Sequence, residues 1–426
     1  MHILFLTPNF PPEVNAGATR QYEHCRRWVG AGHQVTVVAP APNWPAGKVY
    51  PGYKNRLRSE EEMDGIRVIR IGTLISANQG FFLRTLSFVS YMVHAFLTAC
   101  FIRNVDVMVA TSPQFFAGLA GTLTRMIRRI PFVLEIRDIW PESVLAVGAM
   151  QRSRMIRVLE WLERRMYASA DHIVTVGEGY REKLLERGVD AKDITVVTNG
   201  VDMDYWKPRQ ADNAWRTKWG GDNKFVCAYV GTVGMAHGLE VVLDAAQKQK
   251  DEGRNDTVFW IVGDGARRSA LEVEAKDRSL DNVRFLGQVT KSDVQTVLAT
   301  CDACLVHLRG TELFGTVIPS KIFETMAMET PIIMGVEGPA QQLVMEAEGG
   351  VAMTPDNADS LLQCIETIAA APSRYASGRP FVDRRFNRNQ LAADMLEVLV
   401  RFGDPDGQES PKVQAPLPKS TVRRAA

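Results

Sequence analysis

The sequence predicts two α/β domains in tandem, each with a doubly wound parallel sheet between layers of helices. Apolar runs of five to seven residues alternate with longer helical patterns, and the alternation starts again near residue 225. The chain has 426 residues, which at about 150 residues per domain suggests two or three domains. Its composition is 46% hydrophobic and 23% charged, as in soluble globular proteins.

The first half of the chain contains six apolar runs that we interpret as strands. The runs are continuous rather than alternating, so each strand is expected to be buried on both faces, as in a parallel sheet with helices on both sides. They span residues 3–7, 35–39, 105–110, 132–136, 172–176 and 194–198.

The second half repeats this pattern. Its runs span residues 225–231, 258–263, 283–287, 303–308 and 331–335, and helical patterns lie near 238–250, 266–277, 291–300 and 320–329. The segment 199–208 contains glycine, proline and aromatic residues and is a natural hinge. We therefore assign residues 1–200 to an N-terminal domain and residues 201–385 to a C-terminal domain.

The end of the chain divides into two segments of different character. Residues 386–402 form an amphipathic helical pattern. Residues 403–426 are rich in proline and polar residues and have no apolar periodicity, so we predict that they form a disordered tail.

Charge and cysteine content exclude several classes of protein. Lys and Arg total 50 against 49 Asp and Glu, and this net charge of +1 argues against nucleic-acid binding through bulk positive charge. Residues 1–200 carry 24 basic and 18 acidic side chains and the remainder 26 and 31, so the two domains are expected to have different partners. The chain start does not resemble a signal peptide, and six cysteines are too few for a disulfide scaffold, so we expect a cytoplasmic protein.

Two glycine-containing turns connect a strand to a helix, where open α/β sheets bind their ligands. Gly17 precedes the helix after the first strand, and Gly263, Asp264 and Gly265 form a strand-to-helix turn in the second half. A helix N-terminus offers unpaired N–H groups to an anion. The first turn lacks the GxGxxG pattern of a dinucleotide site, and simple turn chemistry explains its glycine equally well.

Charged residues also follow the strand at 132–136. Arg137 and Asp138 stand at its carboxyl end, where charge favours a functional role over a packing role.

The strongest local signal spans residues 308–335. A strand is followed by a loop with Gly310 and Gly315, and Ser320 is a candidate N-cap for a helix that carries Lys321 and Glu324 in its first turn. Because these two side chains are three residues apart, they share a helix face. A lysine at a helix N-terminus suits a diphosphate, and a carboxylate one turn later suits a ribose diol. The alternative is an exposed Lys/Glu pair.

Two segments of the first half suggest contact with a membrane. Residues 81–102 are very hydrophobic, but the uncharged stretch from Leu86 to Ile102 is 17 residues long, against about 20 for a span. We therefore expect a packed helix, with a surface-seeking helix as the intermediate possibility. In residues 151–170, apolar residues and Trp161 alternate with arginines 152, 154, 157, 164 and 165. This pattern is typical of binding to anionic lipid; the alternative is a solvated face paired with Glu160 and Glu163.

Two short patterns that could indicate a metal are rejected. Cys301 and Cys304 form a CxxC without a second ligand pair at zinc spacing, and Asp202 and Asp204 lie in the hinge rather than at a strand end. We predict no metal site and no bound cofactor.

Six motifs in order resemble the GT-B glycosyltransferases of family four, and specifically the branch of bacterial O-antigen L-fucosaminyltransferase-like enzymes. The motifs are PPEVNAGA, RDIWPES, NGVD, VGTVGMAHGLE, VGDG and PSKIFETMAMETPII, and the resemblance covers about residues 1–402. It implies two Rossmann-like domains facing a cleft, with the nucleotide sugar in the C-terminal domain and the acceptor in the N-terminal domain. The helix at 386–402 is expected to cross back onto the first domain.

The resemblance also implies roles for individual residues. Lys321 is expected at the diphosphate and Glu324 at the nucleotide ribose, whereas Arg137 and Asp138 are expected to position the reacting phosphate and the acceptor hydroxyl. The implied nucleotide-sugar site comprises Gly17, Thr232, His237, Gly238, Gly263, Asp264, Gly265, Phe314, Gly315, Thr316, Ser320, Lys321 and Glu324.

The chain departs from the family pattern at four of these positions. Thr316 replaces the first glutamate of the E-x7-E motif, and Thr232 and His237 stand where the family usually has Arg and Lys. Arg137 stands where the family usually has a histidine.

The sequence thus predicts a metal-independent, retaining transfer of a sugar, expected to be an N-acetylamino sugar, from UDP to a lipid-linked or nascent surface polysaccharide. Such polysaccharides are O-antigen, capsule and exopolysaccharide. The enzyme is expected to associate peripherally with the inner face of the cytoplasmic membrane. Two alternatives remain: a UDP-sugar 2-epimerase on the same fold, and a non-catalytic nucleotide-sugar sensor.

Overall fold

The computed structural model describes residues 1–44, 47–75, 81–112, 115–140, 142, 154–311, 318–404 and 422–424. The chain divides into two compact units, one formed by Met1–Asn199 with Arg388–Ala426 and the other by Gly200–Asn387. Each unit has its own sheet, and the strands within each sheet run mostly parallel. The predicted fold class is therefore confirmed.

The sheet of the first unit has the strand order β15-β3-β4-β2-β1-β5-β6-β7-β8. Its strands are β1 (His2–Leu6), β2 (Gln34–Pro40), β3 (Arg58–Met63), β4 (Ile66–Ile71), β5 (Val107–Thr111), β6 (Phe132–Ile136), β7 (His172–Thr175), β8 (Ile194–Val196) and β15 (Val422–Arg424). The six apolar runs predicted as strands correspond to β1, β2, β5, β6, β7 and β8.

Helices cover both faces of this sheet. They are α1 (Ala16–Gly30), α2 (Phe81–Phe101), α3 (Phe115–Arg128), α4 (Arg154–Ser169), α5 (Glu178–Glu186) and α14 (Arg388–Gly403). The buried residues of α2 to α5 share one core cluster, whereas those of α1 and α14 share the cluster on the opposite face. The C-terminal helix therefore completes the core of the N-terminal unit.

Two parts of this sheet differ from the sequence prediction. β3 and β4 form an antiparallel hairpin whose turn places Asp64 and Gly65 at positive φ. The pattern of β3 is charged rather than apolar because the strand lies near the edge of the sheet, so it was not recognised. Residues 422–424 were predicted to be disordered, but they pair with β3 as β15, because an edge strand offers unpaired N–H and C=O groups.

The second unit has a six-stranded parallel sheet with the order β11-β10-β9-β12-β13-β14. Its strands are β9 (Phe225–Val230), β10 (Thr257–Val262), β11 (Val283–Gly287), β12 (Ala303–His307), β13 (Ile332–Gly335) and β14 (Gly350–Ala352). The chain proceeds outward from β9 in one direction and from β12 in the other. Ligands of open α/β sheets bind outside the carboxyl ends of the strands at such a switch point.

The helices of the second unit surround this sheet. They are α6 (Asn213–Lys218), α7 (Glu240–Asp251), α8 (Arg268–Asp277), α9 (Lys291–Thr300), α10 (Lys321–Ala327), α11 (Pro339–Glu346), α12 (Ala358–Ala370) and α13 (Gly378–Phe386). Helix α10 begins with Lys321, so the predicted helix start is observed. Ser320 occupies the N-cap position, but its side chain makes no capping hydrogen bond because its backbone is already helical.

Candidate functional site

The loops after β9 and β10 pack backbone against backbone beside the switch point of the second unit. A Cβ on Gly263 would lie 1.8 Å from the carbonyl oxygen of Gly231, and one on Gly265 would lie 2.4 Å from that of Val233. Gly263 also has a φ of 135°. Only glycine allows this close approach, so the predicted glycine turn has a structural requirement of its own.

Lys321 projects from the start of α10 towards the end of β9. Its Nζ lies 3.9 Å from the centroid of the Tyr229 ring and 3.2 Å from the position that a Cβ on Gly231 would occupy. Nζ is buried and, among the described residues, has no hydrogen-bond partner. Burial lowers the pKa of Lys321 to about 8, against the opposing effects of Cys304 and Glu324. A buried ammonium without a hydrogen-bonding acceptor suits an anionic ligand.

Side chains beneath the loop 231–238 hold its carbonyl groups. Tyr229 Oη donates to the carbonyl of Thr232 at 2.7 Å, and Arg309 Nε donates to that of Met235 at 2.9 Å. The backbone N–H of Arg309 donates to the carbonyl of Ala236, also at 2.9 Å.

The orientation of these carbonyls determines where the neighbouring N–H groups point. In a trans peptide the N–H points opposite to the C=O of the preceding residue. The N–H of Ala236 therefore points away from Arg309, which holds the carbonyl of Met235. The N–H of Gly238 likewise points away from the side chain that holds the carbonyl of His237. Within the described part of the chain, neither N–H donates to another backbone carbonyl outside regular helices and strands. Fixed amide donors beside a buried cation form an environment suited to phosphate oxygens.

His307 is the group that holds the carbonyl of His237. This histidine is fully buried at the end of β12; its Nδ1 donates to the His237 carbonyl at 2.7 Å and its Nε2 accepts from the N–H of Asp356 at 3.0 Å. These two contacts require the neutral Nδ1–H tautomer. Burial also lowers the pKa of His307, despite the opposing hydrogen bond to His237. His307 is therefore a neutral side chain that supports the loop through these hydrogen bonds.

His237 lies half-buried in the loop, near the charge of Lys321. Burial, together with the charge of Lys321, lowers its pKa to about 4, so the ring is neutral near pH 7. The ring lies edge-on to Tyr229, with 6.0 Å between the centroids. His237 thus adds no positive charge to Lys321 in the ligand-free protein.

Glu240 joins two arginines at the start of α7. Its carboxylate accepts from Arg267 at 2.7 Å and from Arg309 at 2.8 Å. Burial would raise the pKa of Glu240, but its hydrogen bonds to its own N–H and Arg267 and the charge of Arg309 lower it. Glu240 therefore holds Arg309 in the position from which its Nε donates to the carbonyl of Met235.

The remaining predicted positions of the second unit have distinct surroundings. Glu324 is half-buried one turn after Lys321, and Thr232 is exposed. Asp264 accepts the N–H of Gly265 at 2.7 Å and faces Arg268 at 3.8 Å. Phe314, Gly315 and Thr316 lie outside the described residues.

A second polar cluster lies at the strand ends of the first unit. A Cβ on Gly17 would lie 3.0 Å from Arg137 Nη1, so the guanidinium lies against the first turn of α1. Asn15 caps this helix by accepting the N–H of Ala18 at 2.8 Å. The buried Nε of Arg137 lacks a hydrogen-bond partner among the described residues, and burial lowers the pKa of this arginine. The structure thus brings Gly17 and Arg137 together.

Glu135 compensates a different arginine beneath this cluster. Arg20 Nε donates to Glu135 at 2.9 Å, and the rest of its guanidinium donates to the carbonyls of Val197 and Thr198. Burial by itself would raise the pKa of Glu135. The charges of Arg20 and Arg137 and a hydrogen bond from Thr111 outweigh this effect and lower the pKa. Because Arg20 forms the direct ion pair with Glu135, the guanidinium of Arg137 remains able to bind an anionic ligand.

Asp138 follows Arg137, and its carbonyl accepts from Ser112 Oγ at 3.3 Å. The charge of Asp138, together with burial, raises the pKa of Tyr180, so the tyrosine hydroxyl and this carboxylate belong to the same neighbourhood. The charges of Asp138 and Arg137 are thus both close enough to Tyr180 to affect its pKa.

The rejected metal patterns have ordinary structural roles. Cys301 and Cys304 are buried free thiols whose pKa is raised by burial. Asp202 Oδ1 accepts the N–H groups of Asp204 and Tyr205 and stabilises a turn. In the described portion of the chain, no cluster of three or more His, Cys, Asp or Glu residues could hold a metal ion.

Sequence reasoning missed Tyr229, His307, Arg309 and Glu240. Tyr229 and His307 are the polar-tipped residues near the ends of two otherwise apolar strands, and that signal could have identified them. The sequence around Arg309 and Glu240 contains no comparable signal of a functional role.

Comparisons with known proteins agree with this architecture. Residues 15–200 match the Glycosyl transferase 4-like domain, and residues 224–371 match Glycosyl transferases group 1. WcaI of Escherichia coli strain K12, provisionally named a colanic acid biosynthesis glycosyl transferase, is 25% identical over 93% of this chain and 99% of WcaI. The O-antigen chain mannosyltransferase C of Escherichia coli is 24% identical over 59% of this chain and 66% of its own length. Anabaena HepE, solved in complex with UDP-glucose, has a similar fold, with a TM-score of 0.67 and 20% identity over 94% of this chain and 100% of HepE.

Proposed function

Because this chain belongs to the group 1 glycosyltransferases and has the GT-B fold, we propose that it transfers a sugar from a nucleotide sugar to a cell-surface polysaccharide or its lipid-linked precursor. The relatives WcaI and mannosyltransferase C, which are named for colanic acid and O-antigen synthesis, support this class of acceptor. The donor is proposed to be a UDP-sugar, which is supported by the UDP-glucose bound to HepE. An N-acetylamino sugar and retention of configuration are proposed on the sequence resemblance.

The observation that carries this proposal is the buried Nζ of Lys321. It lies above the Tyr229 ring, beside Gly231 and without a hydrogen-bond partner within the described residues. A diphosphate oxygen would supply the missing acceptor. As the sugar leaves, negative charge develops on the diphosphate, and a fixed cation with aligned amide donors stabilises that charge. Lys321 and the N–H groups of Ala236 and Gly238 are proposed for this role, without a metal ion.

The remaining roles are proposed for the two strand-end clusters. Glu324, one turn after Lys321, would accept hydrogen bonds from the nucleotide ribose, and the glycine turn 263–265 would border the nucleotide. In the first unit, Arg137 with Gly17 would position a phosphate, and Asp138 would orient the acceptor hydroxyl. The exposed arginines of α4 support association of this unit with a membrane that holds the acceptor.

The test is a donor panel. We expect UDP and a subset of UDP-sugars to raise the unfolding temperature of the wild type, because a ligand bound to the native state alone stabilises it. Lys321→Met should lose this shift while remaining folded, and the matched variant Lys276→Met, at an exposed position of α8, should keep it.

Incubation of the same donors with a membrane lipid extract identifies the reaction. Transfer of labelled sugar to lipid supports the proposal. Conversion of the donor to its 2-epimer, or binding without turnover, contradicts it in favour of an epimerase or a sensor. A thermal shift that Lys321→Met retains would contradict the assignment of the diphosphate site.

A further inference from the structure

Exposed apolar side chains are concentrated on one layer of helices in the first unit. Among the described residues, 18 large hydrophobic side chains are exposed, and 11 of them lie on α2, α3 and α4. The eleven are Leu83, Leu86, Val93, Leu97, Phe101, Leu123, Met126, Ile127, Met155, Val158 and Trp161. We refer to these residues as the α2–α4 face. Soluble monomers rarely expose so many apolar residues on adjacent elements without a partner.

The pattern on α2 shows that this exposure is regular. Tyr91, Ala95 and Ala99 are buried against the sheet, whereas Val93, Leu97 and Phe101 recur every four residues on the opposite side. The helix is thus apolar on both sides, although only one side has a protein partner among the described residues. In the described part of the chain, no helix is long and apolar enough to cross a bilayer. The side of α2 that faces away from the sheet therefore needs an apolar partner that lies along the helix.

The charges beside this face are mostly positive. Six exposed arginines flank it, and within the described residues none of them forms an ion pair. They are Arg103, Arg129, Arg154, Arg157, Arg164 and Arg165. The guanidinium of Arg165 also lies 5.4 Å from the Trp161 ring centroid.

Acidic residues are nearly absent from the same three helices. Glu160 and Glu163 are their sole acidic residues, and Glu163 is turned inward to accept a hydrogen bond from Tyr167. Arg128 is occupied at the end of α2, where it donates to the carbonyls of Ala99, Cys100 and Ile102. The outer surface is thus apolar with a basic border.

We propose that the α2–α4 face docks onto an anionic lipid bilayer, with its apolar side chains in the interfacial layer and its arginines at the lipid phosphates. The charge pattern selects this occupant over a second copy of the chain, because two copies of the face would bring six like charges on each together. The proposal deepens the proposed function, since it rests on that function for the lipid-linked acceptor, but the docking itself is measured without it.

The experiment measures cosedimentation of the full chain with vesicles of phosphatidylcholine, with and without phosphatidylglycerol. The wild type should bind the anionic vesicles, and high salt should release it. Removing one basic contact is expected to weaken binding about fivefold, so Arg164→Glu with Arg165→Glu should weaken it at least about twentyfold. Leu97→Glu with Ile127→Glu should abolish binding, because a carboxylate cannot enter the apolar layer.

Matched controls lie in the second unit. Lys276→Glu with Arg374→Glu changes the net charge by the same amount at exposed positions, and Val273→Glu places a carboxylate at an exposed apolar position of α8. Both should bind vesicles as the wild type does. Equal binding of the wild type to neutral and anionic vesicles would overturn the proposal, and so would wild-type binding by the α2–α4 variants.

Two further measurements separate the possible failures. If light scattering shows a wild-type dimer that Leu97→Glu with Ile127→Glu dissociates, and vesicles do not bind, the face is an interface between copies and the proposal is wrong. UDP affinity, measured by calorimetry, should be the same in all these variants. If the wild type binds vesicles as described but binds no UDP, the proposed function fails and the docking face stands.

Discussion

A single buried ammonium group determines the chemistry of the second unit. Lys321 has lost its hydration, and the Tyr229 ring compensates only in part, since a cation over an aromatic ring gains roughly 0.5–2 kcal/mol. Burial accordingly lowers the pKa of Lys321 to about 8. The site therefore carries a cation near pH 7, and an anion that binds there stabilises the charged form.

The affinity for UDP should consequently fall at alkaline pH. The folded pKa of about 8 lies below the ordinary value of 10.5, and bound diphosphate raises it again. We expect the affinity to be nearly constant between about pH 7 and about pH 7.5, where the terminal phosphate of UDP is already ionised, and to decline between the pKa values of the free and bound states. Calorimetry from about pH 7 to about pH 10 measures this decline. Lys321→Met should bind weakly with no such dependence; a parallel decline in that variant would assign it to another group.

Tyr229 has two separable roles in this site. Tyr229→Phe keeps the ring under Lys321 but leaves the Thr232 carbonyl without its hydrogen bond, so we expect a loss of stability of about 1–2 kcal/mol and an unchanged pH profile. Tyr229→Leu also removes the ring and should move the decline in UDP affinity down by roughly half to one pH unit. The two pH profiles are compared directly. Identical profiles for both variants would show that the ring does not stabilise the charged lysine.

Among the elements of the first unit, α1 is attached to the sheet through a buried ion pair. Arg20 on α1 binds Glu135 at the end of β6 and the two carbonyls that follow β8. The two side chains are 1% and 2% exposed, so neither charge is hydrated by solvent. A buried ion pair need not stabilise a protein more than apolar residues would, but losing one partner leaves an uncompensated charge.

A double-mutant cycle on this pair tests that argument. Glu135→Leu should destabilise the protein by about 3–5 kcal/mol, and the double variant Arg20→Met with Glu135→Leu should cost less than the sum of Arg20→Met and Glu135→Leu. Urea unfolding measures each value. The solvent-exposed pair Lys248 and Asp359 serves as control and should show a coupling of about 1 kcal/mol or less. Additive costs at Arg20 and Glu135 would contradict the coupling.

Protonation of Glu135 gives the same interaction a pH dependence. Its pKa is lower in the folded protein than its ordinary value, so its contribution to stability is present above the ordinary value and is lost as the pH falls through the folded pKa.

The whole chain is organised so that its last helix belongs to its first unit. Leu391, Met395, Leu396 and Leu399 of α14 are buried in the core cluster that contains Trp28 of α1. The indole N–H of Trp28 donates to the carbonyl of Ala392 at 2.9 Å. The first unit therefore cannot complete its core until the chain that forms the second unit has been made.

This connection predicts a remote effect on the first unit. Leu399→Ala should destabilise it by about 2–5 kcal/mol because the side chain is fully buried. Glu397→Ala, at an exposed position of the same helix, should change stability by less than about 0.5 kcal/mol. Thermal unfolding should show the loss, while UDP affinity in the second unit remains that of the wild type. An equal loss of UDP binding would contradict the separation of the two cores.

The local pattern of apolar residues was sufficient to predict the strands that are buried on both faces. Apolar runs such as 35–39 and 258–263 correspond to β2 and β10, because burial on both faces favours apolar residues at successive positions. It also identified Lys321 at a helix start, since strand, loop and helix signals follow one another along the chain. The charged strand β3 was not recognised because a strand near the sheet edge needs no such run, and β4 was not recognised because Arg67 and Arg70 interrupt its apolar residues.

The tertiary structure decided which side chains meet. Tyr229 and His307 support the same loop because β9 lies beside β12, and strand order is a property of the folded sheet rather than of either strand. The neutrality of His237 likewise results from burial and from the nearby charge of Lys321, neither of which is encoded in its local sequence. Secondary structure follows from short-range patterns, whereas the protonation and partners of a site depend on desolvation and distance, which only the folded chain defines.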